Sequence, residues 1–220
     1  MKKIAAFMFV LAMTLVFSRP AECTYRRSIF IRRIQRGTIT VAVHSASNTA
    51  ALPFPVDTNN SVVLFGGYSG DQRLGVLTGM RYTPFSLELI GATTVRASRA
   101  APIPTNNDVG GAIFADHFDI NIPFQVIEFY RSALAQPVQR GTLAITAGNT
   151  LATGGINTVK LTRALVCFAG FTTDNNNVWN TSNQARWKPY IELIANTVAV
   201  RITTAPDVNF IFPYQVVEFK

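Results

Sequence analysis

Histidine, cysteine and carboxylate are scarce in this chain, and each scarcity removes a class of chemistry. Of 220 residues, two are histidine and two are cysteine. His44 and His117 stand without a nearby cysteine and without His-Glu spacing on a helix, so no metal or cofactor is expected. The neighbours Asp116, His117 and Asp119 form the one mixed cluster, and loop polarity accounts for it. Cys23 borders the N-terminal leader, while Cys167 lies in the apolar run Leu165-Val166-Cys167-Phe168. A disulfide framework is therefore not supported, and Cys167 reads as a small buried hydrophobe. No Gly-x-Ser-x-Gly, P-loop or dinucleotide fingerprint is present. Gly66-Gly67 and Gly154-Gly155 read as turns or bulges rather than phosphate cradles. The expectation is a protein that is not an enzyme.

Charge is also sparse, at 15% of residues against 48% hydrophobic, which excludes a disordered chain and points to one that builds a core. No stretch of the body sustains an apolar stripe at helical spacing over three turns. Runs of Val, Ile, Thr and Phe, broken by Gly, Pro and Asn, instead predict strands and turns. The net charge of +8 is uneven, because Arg26, Arg27, Arg32, Arg33 and Arg36 crowd one segment. That segment lacks the regular basic face with interleaved aromatics of a nucleic-acid surface, so it reads as an arm for an acidic protein partner.

Residues 1–23 have the pattern of a secretory signal. Lys2 and Lys3 precede an apolar run from Ile4 to Phe17, with Ser18 and Ala21 near a possible cleavage point. The run is about 14 residues, short of the roughly 20 that a spanning helix needs. The arginines downstream outnumber the two leader lysines and resist translocation, so a retained hydrophobic arm is the rival reading.

What the chain does have is an internal duplication. Ile34-Gln35-Arg36-Gly37-Thr38 returns as Val138-Gln139-Arg140-Gly141-Thr142, and Val63-Leu64-Phe65-Gly66-Gly67-Tyr68 as Val166-Cys167-Phe168-Ala169-Gly170-Phe171. Leu87-Glu88-Leu89-Ile90 returns as Ile191-Glu192-Leu193-Ile194, and Phe124-Gln125-Val126-Ile127-Glu128-Phe129 as Tyr214-Gln215-Val216-Val217-Glu218-Phe219. Four blocks in one order fix the architecture: an all-β chain of two tandem small β-sandwich, jelly-roll-like modules. The expected layout is a leader at 1–23, a basic arm at 24–33, module 1 at 34–130, a linker at 131–137 and module 2 at 138–220. The copies should share one strand order and differ chiefly by a Pro-, Asn- and Gly-rich insertion at residues 100–116. Both closing strands should be locked within a sheet.

Outside the leader there are four glutamates, and all occupy equivalent positions: Glu88 with Glu192, and Glu128 with Glu218. Arginines recur likewise, Arg36 with Arg140 and Arg96 with Arg201. Carboxylates set among Val, Ile and Phe need donors, so Arg36–Glu128 and Arg140–Glu218 are the expected structural ion pairs. A glycosidase-type acid pair would also need two carboxylates facing one sugar, and no cleft residues accompany these. The expected ligand-contact loops are those that differ between copies. Asn106 and Asn107 mark the first, and Asn176, Trp179 and Trp187 the second, with Tyr82 and Phe85 as further aromatic platforms.

The frame of opening Gln35-Arg36-Gly37-Thr38 and closing Gln125-Val126-Ile127-Glu128-Phe129, repeated in the second copy, resembles a repeat of structural proteins of tailed bacteriophages. It covers nearly everything from Ile34 to Lys220. The resemblance implies a tail or virion-surface component that docks to other virion proteins or to itself as a homo-oligomer. The layout is also distantly similar to the H-type lectin sandwich, which implies a six-stranded module, trimers and sugar binding at its edge; the lectin's disulfide is absent. The leading expectation is a virion-associated surface protein with loops exposed to host glycan. The alternative is a secreted tandem carbohydrate-binding protein.

Overall fold

The computed structural model describes residues 30–42, 45–67, 69–70, 85–99, 119–173, 189–206 and 209–220. All regular structure in them is β, apart from short 3-10 turns. The first seven strands are β1 (Ile31–Val41), β2 (Ser47–Ala51), β3 (Ser61–Phe65), β4 (Ser69–Gly70), β5 (Phe85–Gly91), β6 (Thr94–Arg99) and β7 (Ile120–Phe129). The second seven are β8 (Gln139–Ile145), β9 (Leu151–Gly155), β10 (Ala164–Phe168), β11 (Thr172–Thr173), β12 (Tyr190–Ile194), β13 (Thr197–Arg201) and β14 (Phe210–Glu218).

Strand order repeats as the sequence blocks do. In module 1 the central β7 pairs with β1 on one side and with β3 and β4 on the other, while β6 lies between β2 and β5 in a second sheet. In module 2, β14 pairs with β8, β10 and β11, and β13 lies between β9 and β12. Among the described residues each module thus has seven strands. Strands β2 and β9 lack a clear apolar alternation and were not foreseen. Gly154 and Gly155, read as a turn, lie within β9. Gly67 does turn the chain after β3, with φ +114°.

Period-two alternation fills each core. Ile39, Val41, Val63, Ile122, Phe124 and Val126 of one sheet face Leu87, Leu89, Val95 and Ala97 of the other. The second core has Leu143, Ile145, Phe210, Phe212, Tyr214 and Val216 against Val198 and Val200. Phe85, expected as a loop platform, is instead core: it is buried, and its ring centroid is 4.5 Å from that of Phe65.

The repeated Gly of the opening block is explained by its cross-strand partner. Gly37 is opposite Phe124 and Gly141 opposite Tyr214. A Cβ on Gly37 would meet Phe124 Cζ at 2.6 Å, and one on Gly141 would meet Tyr214 Cζ at 2.5 Å. Each ring lies on bare backbone, an aromatic cover over a strand glycine.

The end of the expected basic arm and the linker are more structured than their composition suggested. Ile31, Arg32 and Arg33 already belong to β1. Residues 131–133 form a 3-10 turn, and Leu134, fully buried, bridges to Phe219. With Val62, Phe129, Val138 and Val217 it forms a third apolar core between the modules.

Candidate functional site

In both copies the repeated polar residues hold one piece of backbone, the connection from the second strand to the third. Gln35 lies at an inward-facing position of β1; its amide donates to the Phe54 carbonyl at 2.8 Å and accepts from the Phe54 N–H at 3.0 Å. Gln139 does the same with Asn157, accepting from its N–H at 2.6 Å and donating to its carbonyl at 3.2 Å. Three residues further on, the buried glutamate takes over. Glu128 Oε1 accepts from Asp57 N–H at 3.2 Å, and Glu218 Oε1 accepts from Lys160 N–H at 3.0 Å. Leu52 and Val56 in one copy, and Val159 in the other, then plug the end of the sandwich.

The expected pairs Arg36–Glu128 and Arg140–Glu218 do not form. Arg36 is in register with Gln125, and its side chain is on the face opposite the one into which Glu128 points; strand parity forbids the contact. Glu128 is held instead by Arg32 at 3.0 Å, with Arg33 Nε at 4.0 Å, and a bulge between Ile31 and Arg33 brings both arginines to one carboxylate. Glu218 is held instead by Gln136 Nε2 at 2.8 Å and by the Lys160 amide, with no arginine against it among the described residues. Glu88 pairs with Arg96 directly across β5 and β6. Glu192 pairs with Arg201 at 2.7 Å on the diagonal, since Ala199 is directly opposite it. Hydrogen bonding to Glu192, then its charge, raises the Arg201 pKa. Arg96 and Arg201 therefore share a function from different register positions.

Arg140 has a different task, and it defines the site with the most constructive geometry. β3 is an edge strand whose outward backbone groups would template another strand. Module 2 occupies them. Val138 N–H donates to the Asn59 carbonyl at 2.7 Å, and the Arg140 guanidinium donates to the Ser61 carbonyl. Gln215 donates to the Val63 carbonyl at 2.8 Å and accepts from the Val63 N–H at 2.9 Å. Burial lowers the Arg140 pKa and the charge of Asp57 raises it in part. Beside this contact, Leu87 N–H donates to the Ala169 carbonyl and Phe171 N–H to the Phe85 carbonyl, so the edge strand β5 is paired as well. Side chains of both modules, including Glu88, Leu89, Arg140 and Tyr214, line a cleft of about 220 Å³ there. Its charged groups are already engaged, Glu88 by Arg96 and Arg140 by Ser61.

Asn106, Asn107, Asn176, Trp179, Trp187, Tyr82, His44, His117 and the 100–116 insertion lie outside the described residues. So does the leader. Among the described residues no helix is long and apolar enough to cross a membrane, and no three His, Cys, Asp or Glu gather as a metal set. Cys167 is a half-buried free thiol whose pKa burial raises to about 11.

Sequence reasoning missed Gln35, Gln139 and Gln215 as contact residues, although all three stood in the repeated blocks. The available signal was parity: Gln35 and Gln139 are polar residues at positions where the strand's alternation faces inward. No protein-family model, curated protein or solved structure matches the chain.

Proposed function

We propose that this chain is a non-enzymatic structural protein of a virion surface, a tail or decoration component that acts by docking its flat module faces on protein. The observation that carries the reading is the engagement of the repeated polar side chains. Glutamates and glutamines kept in both copies hold backbone in each module, and Gln215 joins the two modules along a sheet edge. Carboxylates committed to backbone amides and arginines are poor acid–base groups, whereas residues that close sheet edges are what an assembling block needs.

The test is mass spectrometry and antibody labelling of density-purified particles from cells that carry the gene. The chain is expected in fixed stoichiometry with other particle proteins and accessible to antibody. Recovery solely as free protein in the medium, with glycan-array binding lost in a Trp179→Ala, Asn176→Ala variant, would overturn this in favour of a secreted carbohydrate-binding protein.

A further inference from the structure

The contact between the two modules is not two-fold symmetric, and this leaves half of it unused at each end of the molecule. Module 2 supplies a sheet face, with Val138, Arg140 and Gln215; module 1 supplies the edges of β3 and β5. Because the modules share one fold, each also carries the surface that the other contributes. Module 1 has its own face, in which Arg36 is in register with Gln125 as Arg140 is with Gln215. Module 2 has its own edges, β10 and β12.

Burial separates the used from the unused halves. On the face, Val138 is 6% exposed and its counterpart Ile34 is 38% exposed. Alternate outward residues Pro213 and Gln215 of β14 are buried, while Pro123 and Gln125 of β7 are only half-buried; Ile127, next along, already packs on the core between the modules. On the edges, Val62 is 2% exposed against 41% for its counterpart Leu165, and Ser86 5% against 51% for Tyr190. No hydrogen bond of the Arg36 or Gln125 side chain is found among the described residues, although their counterparts each bind the β3 backbone.

We infer that a second copy of this chain docks head to tail, its module 1 face seated on the β10 and β12 edges of module 2. In the contact, Gln125 of one copy closes on the Val166 amide and carbonyl of the next, Arg36 donates to the Ala164 carbonyl, and Ile34 covers Leu165. These repeat the hydrogen bonds that Gln215 and Arg140 make to Val63 and Ser61, and the apolar packing of Val138 with Val62, within one chain. A heterologous contact of this kind leaves one face and one edge free after every addition, so it builds open chains or closes into a ring. The inference deepens the structural reading above: it rests on that reading for biological purpose, but on the internal contact for its geometry.

The test is sedimentation equilibrium of the full chain beside two variants, each blocked at one end. Arg36→Ala, Gln125→Ala removes the face and Leu165→Arg removes the edge; circular dichroism and melting temperature should match wild type, since these side chains are not core. Wild type is expected to sediment as multiples of 24.1 kDa. Each variant alone should associate at least about tenfold more weakly. Mixed one to one, the two variants should restore a dimer and nothing larger, because one intact face meets one intact edge. A monomeric wild type, equal association by all three proteins, or a mixture that stays monomeric would overturn the inference. If the wild type is monomeric yet found on particles, the head-to-tail contact falls and the structural function stands.

Discussion

The amide of Gln215 closes a two-bond ring with the main chain of Val63, 2.8 Å to the carbonyl and 2.9 Å from the N–H, across 152 residues of sequence. A strand edge that would otherwise be open is thereby satisfied by a side chain, at a site that is fully buried. Gln215→Leu leaves both Val63 groups buried and unpaired, so a loss of about 1–3 kcal/mol is expected in urea unfolding. The same change at Gln125 should fall within about 0.5 kcal/mol of wild type, because its amide has no such task within one chain.

The two buried glutamates should respond differently to salt. Glu128 combines a backbone amide with Arg32, whereas Glu218 combines one with Gln136. Replacing either with Ala strands a backbone N–H and is expected to cost about 1–3 kcal/mol. Arg32 is 53% exposed and is not stranded in water by the loss, so the larger penalty of a broken buried pair does not apply. Glu128→Gln should cost less at high salt than at low salt, while Glu218→Gln should show no such trend. Unfolding curves at two ionic strengths decide between them.

Gly37 and Gly141 admit no Cβ while an aromatic ring lies on them. Gly37→Ala should destabilise by about 1–3 kcal/mol through overpacking against Phe124. Adding Phe124→Leu removes the ring, so the double variant should be more stable than the sum of the single losses predicts. Strict additivity in the four-member cycle would refute the explanation.

Burial raises the Cys167 thiol to about 11, above its ordinary value of 9.0. A thiol held protonated in the fold but free to ionise when unfolded adds stability that is complete below about pH 9. That stability declines through the window up to about 11, by about 1.4 kcal/mol per unit of separation at most. In a Cys23→Ser background, Cys167→Ala should flatten the fall of the melting temperature between pH 9 and 11. Iodoacetamide should label Cys167 slowly at neutral pH in the native protein and rapidly in urea.

Strand content, the duplication and the repeated glutamates and arginines were legible in the sequence. They depend on local alternation and on repetition, and both are one-dimensional. The partners of those positions were not legible. Glu128 and Arg36 recur together, but a two-residue period puts them on opposite faces, and only the bulge near Ile31 brings Arg32 and Arg33 to the carboxylate. β2 and β9 escaped notice because their small and polar residues carry no alternation, though pairing with β6 and β13 makes them strands. Most of all, identical blocks gave no hint that Gln215 would be buried and Gln125 half open. By itself the sequence determined two equal modules. The tertiary structure decided that they meet face to edge, because such a contact uses a different surface of each copy and cannot be read from what the copies share.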